Sequence, residues 1–224
     1  MAPQVKSKQR VADHGEVFTN EREVNAMLDM VKQETERIES RFLEPACGNG
    51  NFLAEVLRRK LDVVKTRYGK SLAEYEKYAF VAVGSIYGVE LLSDNAQECR
   101  DRLYGIVNEA YEKVAKKAIN PRFMSAIKYV LGRNILCGDA LNLKASNGEP
   151  IIFSEWSLAI GSKVKRRDFR LDEMLEGHKE QMSLFGASGS NATEWEFDEE
   201  TNAYIPSPIK EYPLVEFYEV NSHE

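Results

Sequence analysis

The chain has no CxxC pair, no His/Cys cluster and no long apolar run, and each absence removes a class of protein. Only Cys47, Cys99 and Cys137 are present among 224 residues. An odd, scattered set of this kind builds neither a disulfide framework nor a structural zinc site, and it fits a reducing compartment. No apolar stretch approaches the roughly 18 to 20 residues of a spanning helix. The opening MAPQVKSKQRVADHG lacks the apolar centre of a secretory signal, so a cytoplasmic protein is expected. An excess of positive charge is missing too. The formal net charge of −6 has the wrong sign for a chain that holds nucleic acid by phosphate contacts alone, so in any work on DNA much of the holding falls to something else.

What remains is the composition of an enzyme domain: 43% hydrophobic and 29% charged residues, too polar for a membrane protein and sufficient for one α/β domain with appendages. Residues 1–13 are polar and basic and read as a flexible tail. From Asn20 to Glu39, Val24, Met27, Leu28, Val31 and Ile38 recur at helical spacing, with Asn20 as N-cap and Glu23 three residues later. Arg41 to Pro45 reads as a short strand that breaks into the turn Ala46-Cys-Gly-Asn-Gly50. Helical periodicity resumes from Phe52 to Tyr68 and stops at Gly69. Ser71 opens a second helix to about Val83, and Ser85 to Glu90 reads as another strand. A long helix capped by Ser93 follows to Lys117, then a short one to about Tyr129 after Asn120-Pro121, then a third strand from Asn134 to Cys137. This alternation predicts a parallel, doubly wound sheet.

After Gly148 the pattern changes to two strands, Pro150–Leu158 and Lys163–Arg170, around a turn at Gly161-Ser162. Residues 186–203 are Gly/Ser-rich and then acidic, as in a flexible connector. Tyr204 to Val220 suits an extended arm or edge strand. The expected division is a tail over 1–13, a cofactor-binding domain over 14–148, a hairpin and helix appendage over 149–185, and a connector and arm over 186–224.

In a doubly wound sheet a ligand sits beyond the C-terminal ends of the strands, where the first strand hands over to its helix. Gly48 and Gly50 occupy that place and let the backbone approach a bound molecule. A glycine pair by itself also suits a plain strand-to-helix turn. The ten residues Glu44-Pro-Ala-Cys-Gly-Asn-Gly-Asn-Phe-Leu53, however, resemble the cofactor motif D/E-P-A-C-G-x-G-x-F-L of DNA methyltransferases that methylate amino groups. Their Pro45 and Cys47 set them apart from the nucleotide fingerprint GxGxxG.

Three further segments are similar to that family in order. His14-Gly-Glu-Val-Phe-Thr19 resembles the G-x-x-F/Y-T-P segment that contacts the methionine end of S-adenosylmethionine, with Asn20 in place of the proline. Gly88-Val-Glu90-Leu91 resembles the acidic end of the second strand, where a carboxylate takes both ribose hydroxyls and the next side chain lies on adenine. Cys137-Gly-Asp139-Ala140 resembles the end of the third strand, which meets the adenine amine. The resemblance thus implies a cofactor site of Phe18, Thr19, Glu44, Pro45, Ala46, Cys47, Gly48, Gly50, Phe52, Glu90, Leu91, Asp139 and Ala140, and no metal. Taken singly, Phe18 also reads as a core aromatic, Glu90 as a strand end and Asp139 as a turn former. The long Gly50-to-Glu90 interval is assigned to the extra helix over 71–83.

The family's catalytic motif, D/N/S-P-P-Y/F/W, binds the flipped base and orients its amine. No Pro-Pro pair occurs here. Ser154 and Trp156 stand nearest the expected place, but a packed hairpin accounts for them better, so no catalytic residue is assigned. The sheet order 3-2-1-4-5 would leave the first strand without its neighbour. The resemblance therefore implies the Rossmann-like front half of a split N6-adenine DNA methyltransferase of a restriction-modification or related defence system. A partner subunit would bring Asn-Pro-Pro-Tyr, the rest of the sheet and recognition of double-stranded DNA. Alternatives are an inert cofactor-binding scaffold and a self-sufficient methyltransferase acting on something other than DNA. The basic run Lys163, Lys165, Arg166, Arg167 reads either as a DNA contact or as a solvated face.

Overall fold

A computed structural model describes residues 5–116, 118–175, 195–198 and 203–222. The fold is α/β. Three parallel strands, β1 (Phe42–Glu44), β2 (Ile86–Glu90) and β3 (Ile135–Asp139), lie in that order, and the two-residue β4 (Lys144–Ala145) runs antiparallel on β3. Between β1 and β2 come α4 (Asn51–Tyr68) and the additional α5 (Leu72–Gly84), which accounts for the long Gly50-to-Glu90 interval. Between β2 and β3 come α6 (Ser93–Ala115) and α7 (Pro121–Asn134). Connections that step one strand at a time in a constant direction put all their helices on one face when each crossover is right-handed. The buried cluster agrees: Leu53, Val56, Leu57, Leu61 and Val64 of α4 recur every three or four residues and share one core with Ala79, Leu103, Ile127 and Ile86. Each such aliphatic side chain stabilises the fold by about 1.5–3 kcal/mol relative to exposure.

The opposite face is thinly covered. Along β2 the side chains alternate, so Tyr87 and Val89 turn away from the helices and meet Ile151, Phe153 and Leu171. Phe153 belongs to, and Ile151 and Leu171 flank, an antiparallel unit of β5 (Ile152–Leu158) and β6 (Lys163–Arg170), the expected hairpin, extended by β9 (Lys210–Glu211) and β10 (Val215–Glu216). The chain then enters a 3-10 helix, Phe217–Ser222, whose Phe217 is fully buried and whose Tyr218 hydroxyl donates to buried Glu76 at 2.6 Å.

Several expectations are corrected. Within the segment read as a tail, Lys8–His14 forms α1, capped by Ser7 and held by ion pairs; residues 1–4 lie outside the described residues. The helix expected over 20–39 is α2 (Glu21–Met30), capped by Asn20, followed after a break at Val31 by the single turn α3 (Lys32–Thr35). α6 is capped at Leu92 rather than Ser93, and α7 runs to Asn134, past Tyr129, because Val130 and Leu131 continue its buried stripe. Within the expected connector, Trp195–Asp198 is a strand, β7, paired with β8 (Ala203–Pro206); the rest of the connector and residues 176–185 of the appendage lie outside the described residues. Three members of the basic run on the hairpin are paired within the fold, Arg166 with Asp168, Arg167 with Glu155 and Lys165 with Glu211, while Lys163 is exposed. Among the described residues, no helix is long and apolar enough to cross a membrane.

At the N-terminal ends of the strands the fully buried Lys60 of α4 donates to the carbonyls of Ile38 and Ser40 and to the Ser85 hydroxyl. One amine thereby ties α4 to the starts of β1 and β2. Burial pulls its ionisation down to about 7 from the ordinary 10.5, outweighing the opposing charges of Glu39 and Glu34. Because the folded value lies below the unfolded one, the unfolded chain binds more protons between these values, and stability rises with pH through that window. Measured by urea unfolding, the native protein is expected to gain on the order of 1–3 kcal/mol relative to Lys60→Met on going from about pH 7 to about pH 9. A pH-independent difference would contradict the assignment.

Candidate functional site

The C-terminal ends of the parallel strands converge on one carboxylate. Glu90, the last residue of β2, is buried, and its Oε2 accepts from the Gly48 amide at 2.8 Å. Its Oε1 accepts from the Leu92 amide at 3.0 Å, at the positive end of the α6 dipole, and from Asn95 Nδ2 at 3.3 Å. Cys47 donates its amide to the Val89 carbonyl at 3.0 Å, so the turn after β1 is laced to the end of β2 by two main-chain donors.

The turn takes its shape from its glycines. Gly48 and Gly50 hold φ of +53° and +84°, a left-handed backbone that L side chains rarely adopt. The freedom is also steric. A Cβ on Gly48 would stand 3.2 Å from the Phe18 ring, and one on Gly50 would meet Cys99 Sγ at 2.6 Å. The ring of Phe18 thus lies directly on the Gly48 backbone, bringing the segment before α2 over the turn. Thr19 is exposed, and its carbonyl accepts from Asn51 Nδ2 at 3.1 Å, fastening that segment to the first residue of α4.

The other expected residues divide by direction. Cys47 turns inward, and its thiol is pushed up by hydrogen bonding with Cys99 and then by burial, so it acts as a neutral packing group. Phe52 packs against the main core, whereas Pro45, Ala46 and Leu91 are exposed around the turn. Glu44 closes β1, and its burial raises its ionisation above the usual carboxylate value. Asp139 closes β3 and is occupied by its own loop: Oδ1 accepts from the Leu141 amide at 2.8 Å and Oδ2 from Asn142 Nδ2 at 2.6 Å. Ala140 packs on the small second core. Ser154 and Trp156 are apart from this edge. Both are buried on β5, Ser154 Oγ donating to Asp168 at 2.7 Å and Trp156 Nε1 to Asn134 at 3.1 Å, which is the packed-hairpin reading.

Sequence reasoning missed Glu16 and Asn95. Glu16 is buried, and the hydrogen-bonded guanidinium of Arg10 lowers its ionisation below the ordinary carboxylate value. Asn95 Nδ2 donates to Glu16 Oε1 at 2.6 Å as well as to Glu90, and Lys6 Nζ donates to Asn95 Oδ1 at 2.6 Å. Arg10 also pairs with Asp94, whose ionisation it holds down at about 2, and Lys6 pairs with Glu98 at 2.5 Å. Glu16 lay inside the His14–Thr19 segment, but nothing in the sequence pairs it with a residue at the start of α6.

A carboxylate oxygen accepts two hydrogen bonds. Glu90 Oε1 is filled, and Oε2, with one protein donor, keeps room for a further hydroxyl. A vicinal diol fits against Oε2 while Oε1 stays held by Leu92 and Asn95; among the described residues there is no group of three or more His, Cys, Asp and Glu side chains that could hold a metal ion. Comparison of the chain with protein-family models, curated protein sequences and solved structures returns no match.

Gly50→Ala is expected to cost about 1–2 kcal/mol in backbone strain and about 1–3 kcal/mol in overpacking against Cys99. Gly48→Ala meets only the edge of one ring and costs less. Thermal unfolding of Gly50→Ala with and without Cys99→Ala tests this, since the second change should return the overpacking part and leave the strain.

Proposed function

We propose that the chain is the S-adenosylmethionine-binding subunit of a split DNA adenine-N6 methyltransferase, with a Rossmann-like half-sheet that a second cytoplasmic subunit completes. The observation that carries the reading is the buried Glu90 carboxylate, joined to the left-handed Gly48 turn at the C-terminal edge of adjacent parallel strands. In this reading Glu90 takes the ribose hydroxyls and Leu91 lies on the adenine, with Asp139 and Ala140 at its edge. Phe18, Thr19, Glu44, Pro45, Ala46, Cys47, Gly48, Gly50 and Phe52 surround the methionine portion. When bound, the cofactor supplies an electrophilic methyl group. This chain's residues bind and orient, and no base or nucleophile is needed from them, because methylation of an oriented amine depends on positioning.

The partner is supported by the open side of β1. Phe42 and Glu44 face β2 in the ladder, so by alternation the amide and carbonyl of Leu43 point outward, where no described strand pairs with them. Beside that edge lies a cavity of about 140 Å³ lined by Leu43, Tyr87, Phe153, Phe169, Leu171 and Met174 among others, and Leu43 is 45% exposed. Main-chain groups and apolar surface together suit an added strand with an apolar side chain. The Asn-Pro-Pro-Tyr segment and DNA recognition are assigned to that partner.

Calorimetry on the chain with S-adenosylhomocysteine should show saturable binding, weakened roughly 10- to 100-fold by Glu90→Ala, as expected for loss of charged hydrogen bonds. The chain alone should not methylate duplex DNA, whereas the chain with a subunit bearing Asn-Pro-Pro-Tyr should. Leu43→Arg should abolish that joint activity while leaving cofactor affinity within about twofold, a difference smaller than one buried hydrogen bond. Absence of binding would overturn the cofactor reading; methylation by the chain alone, or binding without joint activity, would overturn the split enzyme.

A further inference from the structure

Glu90 does not hold its orientation unaided, and the group that holds it reaches back to the start of the chain. Asn95 is 1% exposed and lies between two buried carboxylates. Which end of its amide faces them is fixed by chemistry. Lys6 can only donate, so the oxygen faces Lys6, and the carboxylates can only accept, so the nitrogen faces Glu16 and Glu90. The two amide protons thus go one to each carboxylate. Without them, Glu90 would lose one of its three donors and Glu16 its hydrogen bond to α6.

Glu16 is in turn gripped by Arg10 through two contacts, to Oε2 at 2.6 Å and to Oε1 at 2.7 Å. Arg10 and Lys6 reach across to Asp94 and Glu98 on the first turns of α6. Residues 6–16 therefore form a strap over the start of α6. α1 itself buries no residue, so the strap has little apolar attachment and its closed position depends on this polar network. Such a segment belongs to the low-stability end of a fold, where opening costs little.

Resting on the cofactor reading above, we propose that Asn95 is a positioning residue that couples closure of the Lys6–Glu16 strap to the orientation of Glu90, and so to affinity for the adenosine half of the ligand. With the strap closed, Asn95 pins Glu90 Oε1, and Oε2 faces the Gly48 turn with its vacant lone pair. With the strap open, Asn95 loses Lys6 and Glu16 and no longer fixes the carboxylate. By reciprocity of linkage, a ligand on Glu90 stabilises the closed strap as much as the closed strap strengthens the ligand.

The test uses S-adenosylhomocysteine and the full chain, with calorimetry for affinity and amide hydrogen exchange over residues 5–16 for closure. Asn95→Ala and Lys6→Met should each weaken binding roughly 5- to 20-fold, the span of about 1 to 2 kcal/mol. The double variant should bind no more weakly than Asn95→Ala, because Lys6 acts through Asn95. Ligand should slow exchange across the strap in the native chain and leave it unchanged in Asn95→Ala, an effect that a loss of general stability would not produce. Affinity within about twofold of native for Asn95→Ala, additive losses in the double variant, or strap protection that survives Asn95→Ala would each overturn the coupling with the cofactor reading intact. A native chain that binds no S-adenosylhomocysteine overturns that reading, and the coupling with it.

Discussion

The hydrogen bond from the Gly48 amide to the buried Glu90 carboxylate is the contact through which the turn after β1, the end of β2 and the start of α6 become one surface. A charge removed from water must be surrounded by donors or it unfolds its surroundings. Here the donors are the amide of a left-handed glycine, an amide at a helix N-terminus and one asparagine. Each can serve only if its own segment is fixed, so the carboxylate imposes order on the turn after β1 and on the run from the end of β2 into α6. The left-handed backbone at Gly48 and Gly50 aims one of these amides, and the close approach of Phe18 and Cys99 leaves that backbone little else to do.

Elements that bury a stripe of their own were legible in the sequence. α4 and α5 appear within a residue of where their periodicity and the Ser71 and Gly69 boundaries put them, and the Asn20 cap holds as read. Segments whose order comes from elsewhere were not. α1 has seven residues and a polar sequence, and nothing local distinguishes it from a tail; it is fixed by partners some 80 positions away, such as Asp94. The pairing of β7 with β8 was hidden in the same way by a composition typical of linkers. In the site, Gly48, Glu90 and Phe18 were visible because their chemistry sits at strand ends and turns. Asn95 and Glu16 were not, since an asparagine inside a helix and a glutamate in a loop acquire meaning only when two distant segments meet.

Charge makes the same point on the hairpin. A run of basic residues suggests a surface held out to phosphate, yet a strand sends alternate side chains to opposite faces, and here both faces meet acids. Arg166 is buried beside Asp168 and stacked near Tyr212, while Arg167 joins Arg41 on the single carboxylate Glu155. Burying the Arg166 guanidinium with its carboxylate spends its hydrogen-bonding capacity inside the fold, on Asp168, Ser154 and Tyr129. Linear charge density thus says little until the pleat is known, and a chain with net charge −6 keeps its positive groups largely occupied here.

The asymmetry of the central sheet bears most directly on what the site lacks. In open parallel sheets the ligand crevice lies where the strand order reverses, because there one helix goes to the front face and the next to the back, leaving a gap between them. In this chain the order β1-β2-β3 never reverses, and every helix between these strands lies on one face. The reversal point is then the outer side of β1, beside the glycine turn, where Leu43 turns main-chain groups that no described strand pairs with. In the proposed reading, one wall of the crevice is Glu90, Gly48 and Phe18, and the opposite wall would belong to the strand laid against Leu43. Under the proposed reading, the half-built site and the strand edge that no described strand covers are one feature, and a segment laid on that edge would at the same stroke close the site.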